Sequence, residues 1–114
     1  MKKIKLQTFG ELECQRPPLS ICFDVVSMFS ESTERHVRAR LCAVALCYAI
    51  QDNRFPKKAT SFDLIEHGSK CLDFLFANGV AVSTIYERGL DMIGWFAESL
   101  PSEQGVDDVE NFSE

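Results

Sequence analysis

The residues that are scarce in this chain narrow its chemistry first. Of 114 residues only two are histidines, His36 and His67, and one is tryptophan, Trp95. Neither histidine has a cysteine or carboxylate partner at metal-ligand spacing, and Glu66-His67 lacks the second histidine of an H-E-x-x-H helix. No serine stands in a G-x-S-x-G elbow, and no glycines form a G-x-x-x-x-G-K-S/T or G-x-G-x-x-G phosphate loop. Hydrolytic, metal-dependent and nucleotide-binding chemistry have no constellation to rest on. The expectation is a protein that is not an enzyme, with no catalytic residue, cofactor or metal.

Long apolar runs are missing too. None reaches the roughly 18 residues of a spanning helix, and the start MKKIKLQTFGELEC breaks hydrophobicity too soon for a secretion signal. The expected location is the cytoplasm, with no membrane partner. The cysteines Cys14, Cys22, Cys42, Cys47 and Cys71 are odd in number and contain no C-x-x-C, so they read as buried, reduced thiols acting as small hydrophobes. Formal net charge is −5, unevenly spread: Lys2, Lys3 and Lys5 make a basic start, Arg35, Arg38 and Arg40 a basic helix start, and Glu98, Glu103, Asp107, Asp108, Glu110 and Glu114 an acidic end. That balance argues against nucleic acid as a ligand, since phosphate binding needs an uncancelled basic surface.

Hydrophobic residues make up 46% and charged ones 25%, an ordinary globular composition sufficient for one domain. The pattern predicts a mainly α fold: a small bundle of about four helices, an N-terminal β-hairpin over residues 3–16, and a flexible acidic tail over 101–114. The hairpin follows from Ile4 and Leu6, then Leu12 and Cys14, pointing one way, with its turn at Phe9-Gly10-Glu11 and its end at Pro17-Pro18. The helices are expected over residues 20–30, 34–51, 61–78 and 81–99, so that one domain fills residues 1–100.

Helical periodicity puts Ile21, Val25, Met28 and Phe29 on one face of the first helix. Ser32 or Thr33 is the expected cap of the second, whose segment LCAVALCYAI is apolar all round and so central or covered by a partner. Thr60 is expected to start the third, with Phe62, Ile65, Gly68, Ser69, Leu72, Leu75 and Phe76 along its stripe. Gly79 ends it in the left-handed conformation. The fourth turns Val82, Ile85, Tyr86, Leu90, Ile93, Phe96 and Ala97 inward, and Gly89 and Gly94 serve close packing or a bend. Gly68 and Gly89 are placed against one another. His67 reads as a helix-surface residue.

A solvated helix start is the simplest account of ERHVRAR, with protein contact the next and nucleic acid the last; Arg35 and Arg38 share a face, while Arg40 points elsewhere. Trp95 is read first as packing and second as a contact anchor. In the tail, Val106, Val109 and Phe112 recur at helical spacing, so this segment is expected to fold against a partner.

A basic hairpin ending in Pro-Pro, a helical body carrying HGSKCLDFLFANGVAVSTIYERGLDMIGWF, and an acidic end closing in ENF resemble the small tail assembly chaperones of tailed bacteriophages. Gly68, Leu72, Asn78-Gly79-Val80, Ile85 and Gly89 fill the places of that family's helix punctuation, and the likeness covers about Lys3 to Phe112. It implies a protein of the infected cell that binds the tape measure protein, the tail tube subunit or both, and that is absent from the virion. The apolar helix, the hairpin edge and the tail are the expected means of holding that chain. The expected binding residues are Arg35, Arg38, Tyr48, Trp95, Phe96, Val109 and Phe112, and self-association through the apolar helix stays open. The alternatives are a structural component of the neck or tail and a small phage inhibitor of a host protein.

Overall fold

In the computed structural model, which describes residues 2–57 and 63–100, the chain opens with two strands, Lys2–Leu6 (β1) and Gly10–Cys14 (β2). They pair antiparallel, Ile4 opposite Leu12 and Leu6 opposite Gly10. The Phe9 N–H returns to the Leu6 carbonyl at 3.1 Å and Gly10 follows at φ 75°, a tight turn closed by a left-handed glycine. Leu6, Leu12 and Cys14 are buried, whereas Lys3 and Lys5 on the exposed face stand opposite Glu13 and Glu11.

Four helices follow: Leu19–Glu31 (α1), Arg35–Ala49 (α2), Leu64–Ala77 (α3) and Val82–Glu98 (α4). The predicted mainly α bundle with an N-terminal hairpin is therefore what the chain forms; the predicted tail lies outside the described residues. Helix α2 is the axis. Every residue from Leu41 to Ile50 is buried within the single chain, with α1, α3 and α4 each packed on α2. The all-round apolar stretch is covered by the chain's own elements, so residues 41–50 leave no apolar face open for another protein.

Small residues set how closely the layers meet. A Cβ on Gly68 would stand 2.8 Å from the Cβ and carbonyl oxygen of Arg40, and one on Gly89 would stand 2.3 Å from the Cβ of Cys42. Each glycine meets α2, not the other glycine, because α2 lies between the helices that carry them. Gly94 meets nothing within 4 Å and serves no contact.

These contacts fix the buried faces differently from the predicted stripes. On α3 the buried residues are Leu64, His67, Gly68, Cys71 and Leu75, while Phe76 is 66% exposed and Ile65 and Leu72 are half-buried. On α4 they are Ile85, Gly89, Met92, Ile93 and Phe96, leaving Val82, Leu90 and Ala97 exposed. His67 is thus buried, its ring 5.7 Å from that of Tyr48. Phe62 and Thr60 lie outside the described residues. Asp63 takes the N-cap place of α3, and Glu34 takes that of α2 without a side-chain cap bond, so neither Ser32 nor Thr33 caps it.

Helix α3 ends as expected at Gly79, φ 84°. The Val80 N–H reaches the Leu75 carbonyl and the Gly79 N–H reaches that of Phe76, both at 3.0 Å, with Leu75 and Val80 packed in the core. Two features tie the hairpin to this frame. Ile50 and Gln51 leave α2 and line the outer edge of β2, where the Gln15 N–H donates to the Ala49 carbonyl and the Gln51 N–H to the Glu13 carbonyl, each at 2.8 Å. At the tip, the Thr8 hydroxyl donates to the Asn78 carbonyl, and Phe9, Phe55 and Phe74 cluster with centroids 4.7 to 6.0 Å apart.

Candidate protein-binding surface

Arg35 and Arg38 occupy the first turn of α2, beside the start of α4, and both line a groove of about 530 Å³ with Thr33, Val82, Ser83 and Tyr86. The Tyr86 hydroxyl donates to the Arg35 carbonyl at 2.7 Å and holds the two helix starts together. Arg38 is braced: its Nε donates to the Ser32 carbonyl at 2.7 Å and its guanidinium lies 4.5 Å from the Phe29 ring centroid. Arg35 is exposed, and Val82, 46% exposed, forms an apolar lip. Two cations and no carboxylate line this groove, which suits a chain segment with an acidic residue next to an apolar one.

Arg40 does face elsewhere. It lines a second groove, of about 590 Å³, with Met28, Val37, Leu64 and Ile65, and its Nε donates to the Ser69 hydroxyl at 2.7 Å.

The remaining expected binding residues do not join Arg35 and Arg38. Trp95 lies 13 residues along α4 from Val82, about 20 Å at 1.5 Å per residue. It is half-buried, and the Arg16 guanidinium stacks 4.5 Å from its centroid while Arg16 Nε donates to the Trp95 carbonyl at 3.0 Å. Arg16 Nη2 also reaches Glu98 Oε1 at 3.5 Å. Phe96 is fully buried and Tyr48 is 6% exposed. Phe96 is no surface contact, because its face of α4 is turned into the core; Tyr48, almost fully buried on α2, lines a different groove from Arg35 and Arg38. Val109 and Phe112 lie outside the described residues. Val82, Ser83 and Tyr86 are groove residues that the sequence does not single out: Val82 is exposed where its spacing predicts an inward place, whereas Tyr86 packs against the core as expected and still lines the groove.

The thiols offer no chemistry at this surface. All five cysteines are unbridged and buried. Burial pushes the Cys14 thiol up to about 11 and the Cys42 thiol up to about 12, which keeps both protonated and unreactive at neutral pH. Among the described residues no group of three or more histidine, cysteine or acidic side chains is placed to hold a metal, and no helix is long and apolar enough to cross a membrane. Comparison with protein-family models, curated proteins and solved structures gives no match.

Proposed function

We propose that this chain is a tail assembly chaperone of a tailed bacteriophage, a non-enzymatic protein that works in the host cytoplasm by binding the tape measure protein, the tail tube subunit or both. The observation that supports this most is the groove of Arg35, Arg38, Val82 and Tyr86, an open, basic and partly apolar cleft between two helix starts. A helical segment presenting an acidic side chain one turn from an apolar one would complement it. Tape measure helices carry apolar stripes that need cover before the tube polymerises. The hairpin supports the reading less: one edge is lined by Ile50, and exposed Lys3 and Lys5 guard β1 against strand addition.

The experiment is a tagged pull-down from cells expressing the neighbouring phage genes, with captured proteins identified by mass spectrometry. The expected result is capture of a long helical protein or a tube subunit, lost in Arg35→Glu with the circular dichroism unchanged, and absence of this chain from mature particles. Retention in the particle would make it a structural component. Capture of a host enzyme in place of tail proteins would make it an inhibitor.

A further inference from the structure

A third groove, of about 380 Å³, opens beside the Pro17-Pro18 bend, lined among others by Arg16, Pro17, Pro18, Ile21, Tyr48 and Lys57. Its charged lining residues are both cations. Helix α1 starts on its rim with Pro18 at the N-cap, no side-chain cap and no acidic residue in the first turn, so the positive end of its dipole is uncompensated. The Tyr48 side chain forms part of the groove's wall, and the buried Tyr48 hydroxyl has no hydrogen-bond partner among the described residues.

The chain itself carries the complement. Residues 101–114 hold Glu103, Asp107, Asp108, Glu110 and Glu114 and no lysine or arginine, so the whole formal charge of −5 belongs to this segment and residues 1–100 are neutral. The helix that precedes it in the chain, α4, ends beside the groove. Arg16 grips the Trp95 carbonyl and Glu98 at the end of α4, and Ser99 lies in hydrogen-bonding reach of Cys22 on α1. Cys22 in turn bonds the Pro17 carbonyl, at 3.5 Å. Helix α4 therefore ends next to the wall of the groove, and the segment that follows it, at up to about 3.3 Å per residue, is long enough to span the groove.

We infer that the acidic segment 101–114 docks in cis in the Pro17-Pro18 groove, its carboxylates against Arg16, Lys57 and the start of α1 and its valines or Phe112 against the proline and isoleucine wall. Docked there, the segment is withheld from a partner until something competes for the groove. The inference does not depend on the identity of that partner.

The test uses the full chain with a nitroxide label on Ser113→Cys, the native thiols being buried. Paramagnetic broadening of backbone amide signals is then mapped by NMR. The expected result is selective loss of peak intensity around Leu19 to Cys22 and Gln51 to Lys57, which recovers at about 1 M salt, where the Debye length is about 3 Å. It should also recover in Lys57→Glu, and in a variant with Asp107→Asn, Asp108→Asn and Glu110→Gln, which alters nothing in the body. Broadening that is absent, or that centres on Lys2, Lys3 and Lys5, overturns the inference. Broadening in a mixture of isotope-labelled and spin-labelled chains would assign the groove to a second copy and overturn docking in cis.

Discussion

The Cβ that Gly89 lacks would stand 2.3 Å from the Cβ of Cys42, closer than two carbon atoms of packed side chains come. Helix α4 thus rests on α2 with a glycine at the contact, and the adjoining Cys42 is itself small and buried. Gly89→Ala forces the helices apart and is expected to cost about 1–3 kcal/mol, the range for overpacking a filled core. Gly94, five residues on and open to space, supplies the control: Gly94→Ala should stabilise by roughly 0.5–1 kcal/mol through helix propensity alone. Denaturant unfolding of both variants reads the two signs; equal shifts would show that the contact is not tight.

The Phe9, Phe55 and Phe74 cluster fastens the hairpin tip to the helical body. Phe9→Ala is expected to cost roughly 2 kcal/mol for a half-buried ring, and the pair Phe9 and Phe74, 6.0 Å apart, should couple by about 0.5–1.5 kcal/mol in a double-mutant cycle. Strict additivity would mean that the hairpin is held to the body by the pairing of β2 with Ile50 and Gln51 instead.

Stability should fall on the alkaline side. Burial raises Cys14 to about 11, Cys42 to about 12 and Tyr48 to about 12. In each case the folded chain keeps a proton that the unfolded chain releases nearer the ordinary thiol value of 9.0 or phenol value of 10.0. The stabilising contribution is complete below about pH 9 and drains away as pH climbs towards 11 and 12. The urea midpoint should hold from pH 7 to 9 and decline above it, less steeply in Cys42→Ala, and thiol reagents should modify the native chain only as fast as it opens.

On the acid side, Arg54 holds Asp52 down to about 2 through side-chain and backbone hydrogen bonds, the guanidinium Nη2 lying 2.6 Å from Oδ2. The folded value is depressed, so whatever stability the pair lends is present above the ordinary value of 3.8 and lost as pH falls towards 2. Carboxyl NMR titration of Arg54→Ala should return Asp52 towards 3.8 with little change in the fold, as expected of a surface pair whose arginine is largely exposed.

How much of this was legible beforehand can be read residue by residue. The hairpin face of Leu6, Leu12 and Cys14 and the stop at Gly79 followed from alternation and glycine chemistry, which are local. The four helices followed from periodicity, and so did the face of α1, where Ile21 and Val25 are buried, but the rotation of α3 and α4 did not. Leu90 and Gly89 differ by one position, or 100° around the helix, and hydrophobicity favours turning Leu90 inward. The structure buries Gly89 because the close approach of Cys42 decides the face, and that contact spans 47 residues of sequence. The same limit affected the binding residues. Spacing alone puts Arg35 and Arg38 on one face, whereas the other wall of their groove, Val82 and Tyr86, comes from a helix whose orientation depends on that distant contact.

Arg16, between β2 and α1, makes three contacts with the end of α4, and its loss should be visible through the sole tryptophan. It stacks on the Trp95 ring, takes up the Trp95 carbonyl and approaches Glu98. The Ser99 and Leu100 N–H groups bond the Phe96 and Ala97 carbonyls, so α4 ends in tightened turns and the Trp95 carbonyl is left for the guanidinium. Arg16→Ala should cost about 1–2 kcal/mol, combining a partly exposed cation–π contact with a charged hydrogen bond, and should shift Trp95 emission to the red as water reaches the ring. Arg16→Lys keeps the charge but not the planar fork and should fall between. Lys2→Ala, with its ammonium 5.7 Å from the ring centroid, should leave the emission near that of the parent chain. An unchanged spectrum in Arg16→Ala would mean that the ring is shielded by apolar packing and that the arginine is only a neighbour.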